Sequence, residues 1–151
     1  MYSLEEWIYS MISADPILST LLKSPAGSPT PINMYSTSVD LTPEQFPCVT
    51  FLDVGSFLNS TTRIRIGRMR LDFWSLNSMS EIMTIYSRAS LILDFNHSRI
   101  ASIPVPNNNI LFWMYEVSSL DQPATDRRLF KKTSTLKYWV LDKALQTANP
   151  Y

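Results

Sequence analysis

Glycine, cysteine and histidine are nearly missing from this chain, at three, one and one in 151 residues. Each scarcity excludes a chemistry. Three glycines supply neither a glycine-rich phosphate loop nor a dinucleotide fingerprint, which need several glycines where the backbone meets phosphate. One cysteine, Cys48, and one histidine, His97, do not make a zinc site of the usual four-ligand type. A lone cysteine forms no intrachain disulfide, which points to a cytoplasmic origin. Within Phe46-Pro-Cys-Val-Thr-Phe51 it reads as a small buried hydrophobe. Charge is scarce as well, 17% against the usual quarter, and 13 basic residues cancel 13 acidic ones. Net neutrality argues against a dedicated nucleic-acid binder and, by weakening colloidal repulsion, suits a protein that lives in an assembly. No run approaches the length of a membrane span. Glu5 and Glu6 interrupt the first hydrophobic segment, so no signal peptide or membrane partner is expected.

Apolar residues make up 45% of the chain, enough for one domain over residues 1–151 with a real core. Ser3 and Glu6 have the spacing of a capping box, and Leu4, Trp7, Ile8, Met11 and Ile12 follow as one helical stripe. Asp15-Pro16 ends that helix and starts another, carrying Ile17, Leu18, Leu21 and Leu22. Five prolines between residues 24 and 47 predict a long irregular loop, with a short extended piece at Ile32-Asn-Met-Tyr35. Residues 48–57 read as a strand. Ser78 and Glu81 cap a second long helix, with Met79, Ile82, Met83, Tyr86, Ala89, Ser90 and Leu93 on its buried side. Pro104, Pro106 and three asparagines predict a turn, 110–117 a strand covered on both faces, 118–126 a loop, and 128–141 a last strand. A tail occupies about 143–151. The order implies an α+β sandwich: a sheet of about four mainly antiparallel strands against the N-terminal and central helices.

Between the first two strand signals lies the most distinctive stretch. Arg63, Arg65, Arg68 and Arg70 alternate with Ile64, Ile66, Met69 and Leu71, the period of a strand with one cationic face. The apolar phase slips by one at Gly67, which predicts a bulge there and places all four arginines and Asp72 on the outer face. A hairpin break at Gly67 is the alternative. A row of guanidinium groups repels itself and needs a partner: acids of the same fold, a neighbouring subunit, or a phosphate chain. A second basic cluster, Arg127, Arg128, Lys131, Lys132 and Lys137, falls on or beside the last strand. The arginine row together with Arg127, Arg128, Lys131 and Lys132 forms the candidate subunit or ring–ring interface.

No catalytic group stands out. His97 lies in a helix-end context where imidazole caps carbonyls, and Asp53, Asp72 and Glu116 fall on strands as natural partners for arginine. No enzyme activity, metal or cofactor is expected. A nucleic-acid-binding module using the two basic strands is the competing class, with aromatics available for stacking.

The motifs Ser-Ala-Asp-Pro-Ile-Leu-Ser-Thr-Leu-Leu (13–22), Phe46-Pro-Cys-Val-Thr-Phe51, Arg-Met-Arg-Leu-Asp-Phe-Trp-Ser (68–75) and Arg128-Leu-Phe-Lys-Lys-Thr-Ser-Thr-Leu-Lys-Tyr-Trp-Val140 occur in a telling order. The arrangement resembles the tail terminator (tail-completion, tail-to-head joining) proteins of long-tailed bacteriophages. The resemblance implies a virion protein of the tail or neck, assembled in the host cytoplasm as a ring, expected to be a hexamer. Such a ring caps the tail tube, stops its polymerisation and offers a docking surface to the head's connector. The implied partners are other copies of itself, the tail-tube protein and a head-completion or connector protein, with DNA only in transit. Another neck, head-completion or tail-tube protein is the nearest alternative.

Overall fold

The computed structural model describes residues 2–36, 42–59, 63–93, 103–105, 109–122 and 129–142. The elements run α1 (Tyr2–Ala14), α2 (Pro16–Leu21), β1 (Met34–Ser36), β2 (Cys48–Leu58), β3 (Ile64–Ser75), α3 (Met79–Leu93), β4 (Ile103–Val105), β5 (Asn109–Gln122) and β6 (Phe130–Asp142). One six-stranded sheet carries them in the order β1-β2-β3-β6-β5-β4. The four long strands are antiparallel, as the sequence implied. The two edges are short strands that it did not count, and β1 runs parallel to β2. The architecture is α+β with a mixed sheet.

Helix α1 buries its stripe of Leu4, Trp7, Ile8 and Ile12. It begins at Tyr2, which puts Ser3 inside the first turn rather than at the cap. Asp15 caps α2 as its sequence predicts, accepting the Leu18 N–H at 2.9 Å, with Pro16 at the first helical position where no amide is missed. The same carboxylate receives a two-pronged Arg88 guanidinium at 2.7 and 3.1 Å, which fastens α2 to α3. Ile17, expected in the core, is exposed. In α3 the buried side is Ile82, Ile85, Ala89 and Leu93, with Met79 and Tyr86 partly buried. Met83 is exposed and Ile85 takes its place, because the helix turns that side toward the sheet. Ser78 accepts the Glu81 N–H at 3.1 Å, but the Glu81 carboxylate reaches Ser75 and Asn77, so only half of the capping box forms.

The helices cover one face of the sheet. Met69, Leu71 and Phe73 of β3 and Leu136, Tyr138 and Val140 of β6 are buried beneath them in one cluster. Val49 of β2 and Leu111 and Met114 of β5 complete this inner face. Burial of side chains this size contributes roughly 1.5–3 kcal/mol each before the entropy cost of ordering.

The bulge is on a different strand from the one expected. β3 pairs with β6 without a break from Ile64↔Leu141 to Ser75↔Phe130, so Gly67 stays in register. The shift lies on β2, between Asp53 and Gly55, with Val54 left over. Gly67 has another reason to be glycine: it faces Tyr138, and a Cβ there would sit 2.5 Å from the tyrosine Oη and 2.6 Å from Ser56 Cβ. The phase slip in the sequence arises because Ile64 and Ile66 belong to the other face of the sheet, where they are half-exposed. Two further expectations shift. Residues 118–122 continue β5 instead of looping, and Pro104 lies in edge strand β4, where its missing N–H costs no ladder bond. His97, Pro106, Asn107, Arg127, Arg128 and the 143–151 tail lie outside the described residues.

Candidate assembly interface

Among the described residues no helix lies over the sheet's second face. Strand alternation assigns Thr50, Leu52 and Phe57 of β2, Ile64, Ile66, Arg68, Arg70, Asp72 and Trp74 of β3, and Lys131, Thr133, Lys137 and Trp139 of β6 to this side. An antiparallel sheet tolerates one wet face, but this one carries large apolar groups: Leu52, Val54, Phe57, Val117 and Leu120 are all exposed, Phe57 at 62%.

The continuous register splits the arginine row, correcting the expectation that all four share one face. Arg68 and Arg70 point outward. Arg65 has the parity of the core residues Met69 and Leu71 and reaches Ser56 Oγ at 3.1 Å beyond the end of the helix layer. Arg63 leads into β3 with a positive φ of 58°, its N–H bonded to the Asn59 carbonyl at 2.9 Å. That left-handed conformation is uncommon for a residue with a Cβ and marks the tight close of the hairpin.

Toward the Ser75 end, the open face is neutralised. Asp72, fully buried, accepts Arg70 Nε at 3.1 Å and Thr133 Oγ1 at 2.7 Å, with Lys131 Nζ at 4.0 Å. Lys131 also lies 4.7 Å over the Trp74 ring, whose Nε1 donates to Thr50 at 2.9 Å. Asp72 is thus the acid the arginine row needed, but it serves only one of the arginines.

Nearer the β2–β3 hairpin, the face is cationic. Arg68 and Lys137 are directly opposite across β3 and β6. Among the described residues no acid is bonded to Arg68. Lys137 lies 5.0 Å over Trp139, which stacks on Tyr115 at 5.8 Å. An open groove of about 430 Å³ is lined here by Gly55, Phe57, Ile66, Arg68 and Lys137. Phe57 and Lys137 were not singled out as site residues from the sequence. The available signal was the pair of large apolar residues Val54 and Phe57 close to a hairpin end.

Lys132, a candidate interface residue, turns inward. It is 5% exposed, donates to Asp121 at 2.7 Å and lies 4.4 Å over the Tyr86 ring. Glu116, expected opposite an arginine, accepts from Tyr86 Oη and from Ser134 Oγ. Burial, then the Glu116 carboxylate, holds the Tyr86 hydroxyl well above the ordinary range. Burial likewise pushes the Cys48 thiol up to about 12, leaving it inert. Asp53 accepts from the Tyr138 hydroxyl at 3.2 Å and from the Gly55 N–H at 3.1 Å, bracing the bulge.

No helix is long and apolar enough to cross a membrane among the described residues. Comparison with family models and with curated proteins finds no match. Among solved structures, the chain aligns with one from the virion of a native gene transfer agent (GTA) particle, with a TM-score of 0.65 over 88% of this chain and 90% of that one. At 12% identity, what the two chains share is the fold.

Proposed function

We propose that this chain is a non-enzymatic structural protein of a phage-like virion, and within that class a tail terminator. In this role it forms a ring of identical subunits, six by the family resemblance, that caps the tail tube, ends its growth and receives the head's connector. The likeness to a GTA virion chain over nearly the whole length of both carries the reading. An amphipathic sheet face that the described residues leave uncovered supports it, as does a net charge of zero. Negative-stain images of the purified protein are expected to show sixfold rings, and particles made without it are expected to carry tails of uncontrolled length without heads. A chain that stays monomeric at high concentration, together with normal particles in its absence, would sink the proposal.

One observation favours a second reading. Arg68, Lys137 and the stacked Tyr115–Trp139 pair share the open face, a combination that suits single-stranded nucleic acid. Oligonucleotide affinity falling steeply with salt, and less steeply after Arg68→Ala, is the signature of that class.

A further inference from the structure

Arg68 and Lys137 present an arrangement that the described residues of the subunit do not explain. Like charges directly opposite across two strands destabilise a sheet. Two residues along β3, Arg70 is relieved by Asp72 at 3.1 Å, so the strand has the means to neutralise its cations and does not use it at Arg68. The groove beside this pair grades along the strands, because Phe57 pairs with Ile66 in one row and Arg68 with Lys137 in the next outward-facing row. Phe57 on β2 and Ile66 on β3 make one side apolar, while Arg68 and Lys137 make the other cationic. Its occupant therefore carries an apolar side chain and a carboxylate close together.

Among the described residues, the exposed acids are Glu6, Glu44 and Asp121. Glu6 precedes the buried Trp7, and Glu44 stands between Pro43 and Gln45. Only Asp121 has an exposed large hydrophobe beside it, Leu120 at 56%. Strand alternation turns Leu120 and Asp121 to opposite faces, so this strand end, entering the groove edge-on, sets one against each side. Lys132 occupies Asp121 Oδ1, but the side chain is still 54% exposed, and a carboxylate has about four acceptor positions.

The two features are different patches of the sheet: Asp121 pairs with Lys132 near the start of β6, whereas Arg68 pairs with Lys137 near its middle. A contact between them is head-to-tail, the kind that closes into rings. Resting on the ring reading above, we infer that the groove formed by Phe57, Ile66, Arg68 and Lys137 receives the Leu120–Asp121 end of β5 from a second copy of this chain.

Charge reversal tests this. Arg68→Glu places an acid opposite Lys137, so melting temperature is expected to hold or rise while the self-association constant drops at least about tenfold. Asp121→Arg is expected to weaken assembly similarly. Mixed in equal amounts, the two variants are expected to recover assembly, with the chains alternating and only even-numbered rings forming. If both variants assemble like the wild type, or the mixture recovers nothing, this inference fails while the ring reading stands. A wild-type chain that remains monomeric overturns both. Loss of salt-dependent binding to a single-stranded oligonucleotide in Arg68→Glu, with self-association untouched, assigns the groove to nucleic acid instead.

Discussion

The two faces of one sheet solve the same problem in opposite ways. On the helix-covered side, Phe73 is fully buried and meets Tyr86 edge-on at 5.6 Å, and even Lys132 is drawn in and paired. On the other side, Trp74, the very next residue, is only half-buried and borrows its contacts from polar neighbours, Thr50 and Lys131. One face is finished within the subunit. The other has a finished end around Asp72 and an unfinished one around Arg68. Unfinished surface in a folded chain locates where another molecule belongs, and it does so more sharply than composition does.

The contrast is tested most severely by neighbouring residues. Phe73→Ala removes a core ring and is expected to lower stability by about 3–5 kcal/mol in denaturant titrations. Trp74→Ala, one position along, should cost about 1–2 kcal/mol, mainly a hydrogen bond and partial burial. Equal losses would show that the open face is as much a core as the covered one.

A smaller difference separates the arginines. Arg70→Ala leaves the buried Asp72 carboxylate with Thr133 and a distant Lys131, an expected loss of about 1–3 kcal/mol. Arg68→Ala relieves like-charge opposition and is expected to change stability by no more than about 0.5 kcal/mol. If Arg68→Ala proved the costlier, an internal partner would be stabilising it and the groove would offer no unmatched cation.

The smallest effect belongs to the helix layer and appears as a pH dependence. The hydrogen-bonded Arg88 guanidinium holds the Asp15 carboxyl below its ordinary value. A depressed carboxyl stabilises the fold above its unfolded pKa, near 4, and loses that contribution as pH falls through the folded value. Asp15→Asn keeps the cap and loses the charge. Its stability deficit against the wild type should therefore be largest near neutrality and shrink in acid. A deficit constant from pH 7 to pH 3 would mean that the Arg88 contact adds nothing to the cap.

Where the sequence was legible, a local signal was sufficient. The α1 stripe and the Asp15-Pro16 cap depend on spacings within one turn, and both appear in place. The misreadings of the sheet concern partners distant in the chain, while those of the helices, Ser3 as a cap and Ile17 and Met83 as core, are local. A glycine that interrupts an alternating pattern reads as a bulge until its neighbour across the sheet is known to be Tyr138. The true bulge at Val54 has no local mark, because a surplus residue is defined only against the register of β3. Residues 118–122 looked like a loop because their side chains face water on both sides, and pairing to β6 makes them strand. The candidate interface was legible as a cationic strand. Which cations were already neutralised depended on Asp72 and Asp121, whose positions only the topology reveals.

The tyrosine lying across Gly67 carries an evolutionary consequence. Positions 56, 67 and 138 behave as a single locus: a side chain at 67 has no room while the ring of Tyr138 and the Cβ of Ser56 are present, and a smaller residue at 138 leaves a hollow over a bare backbone. Tyr138 also holds Asp53 beside the β2 bulge, so a change at any of them reaches the end of the sheet where the groove opens. Related chains that have drifted far in sequence should therefore gain a side chain at 67 only together with smaller residues at 56 and 138, and that coupled drift would be the inherited trace of this part of the surface.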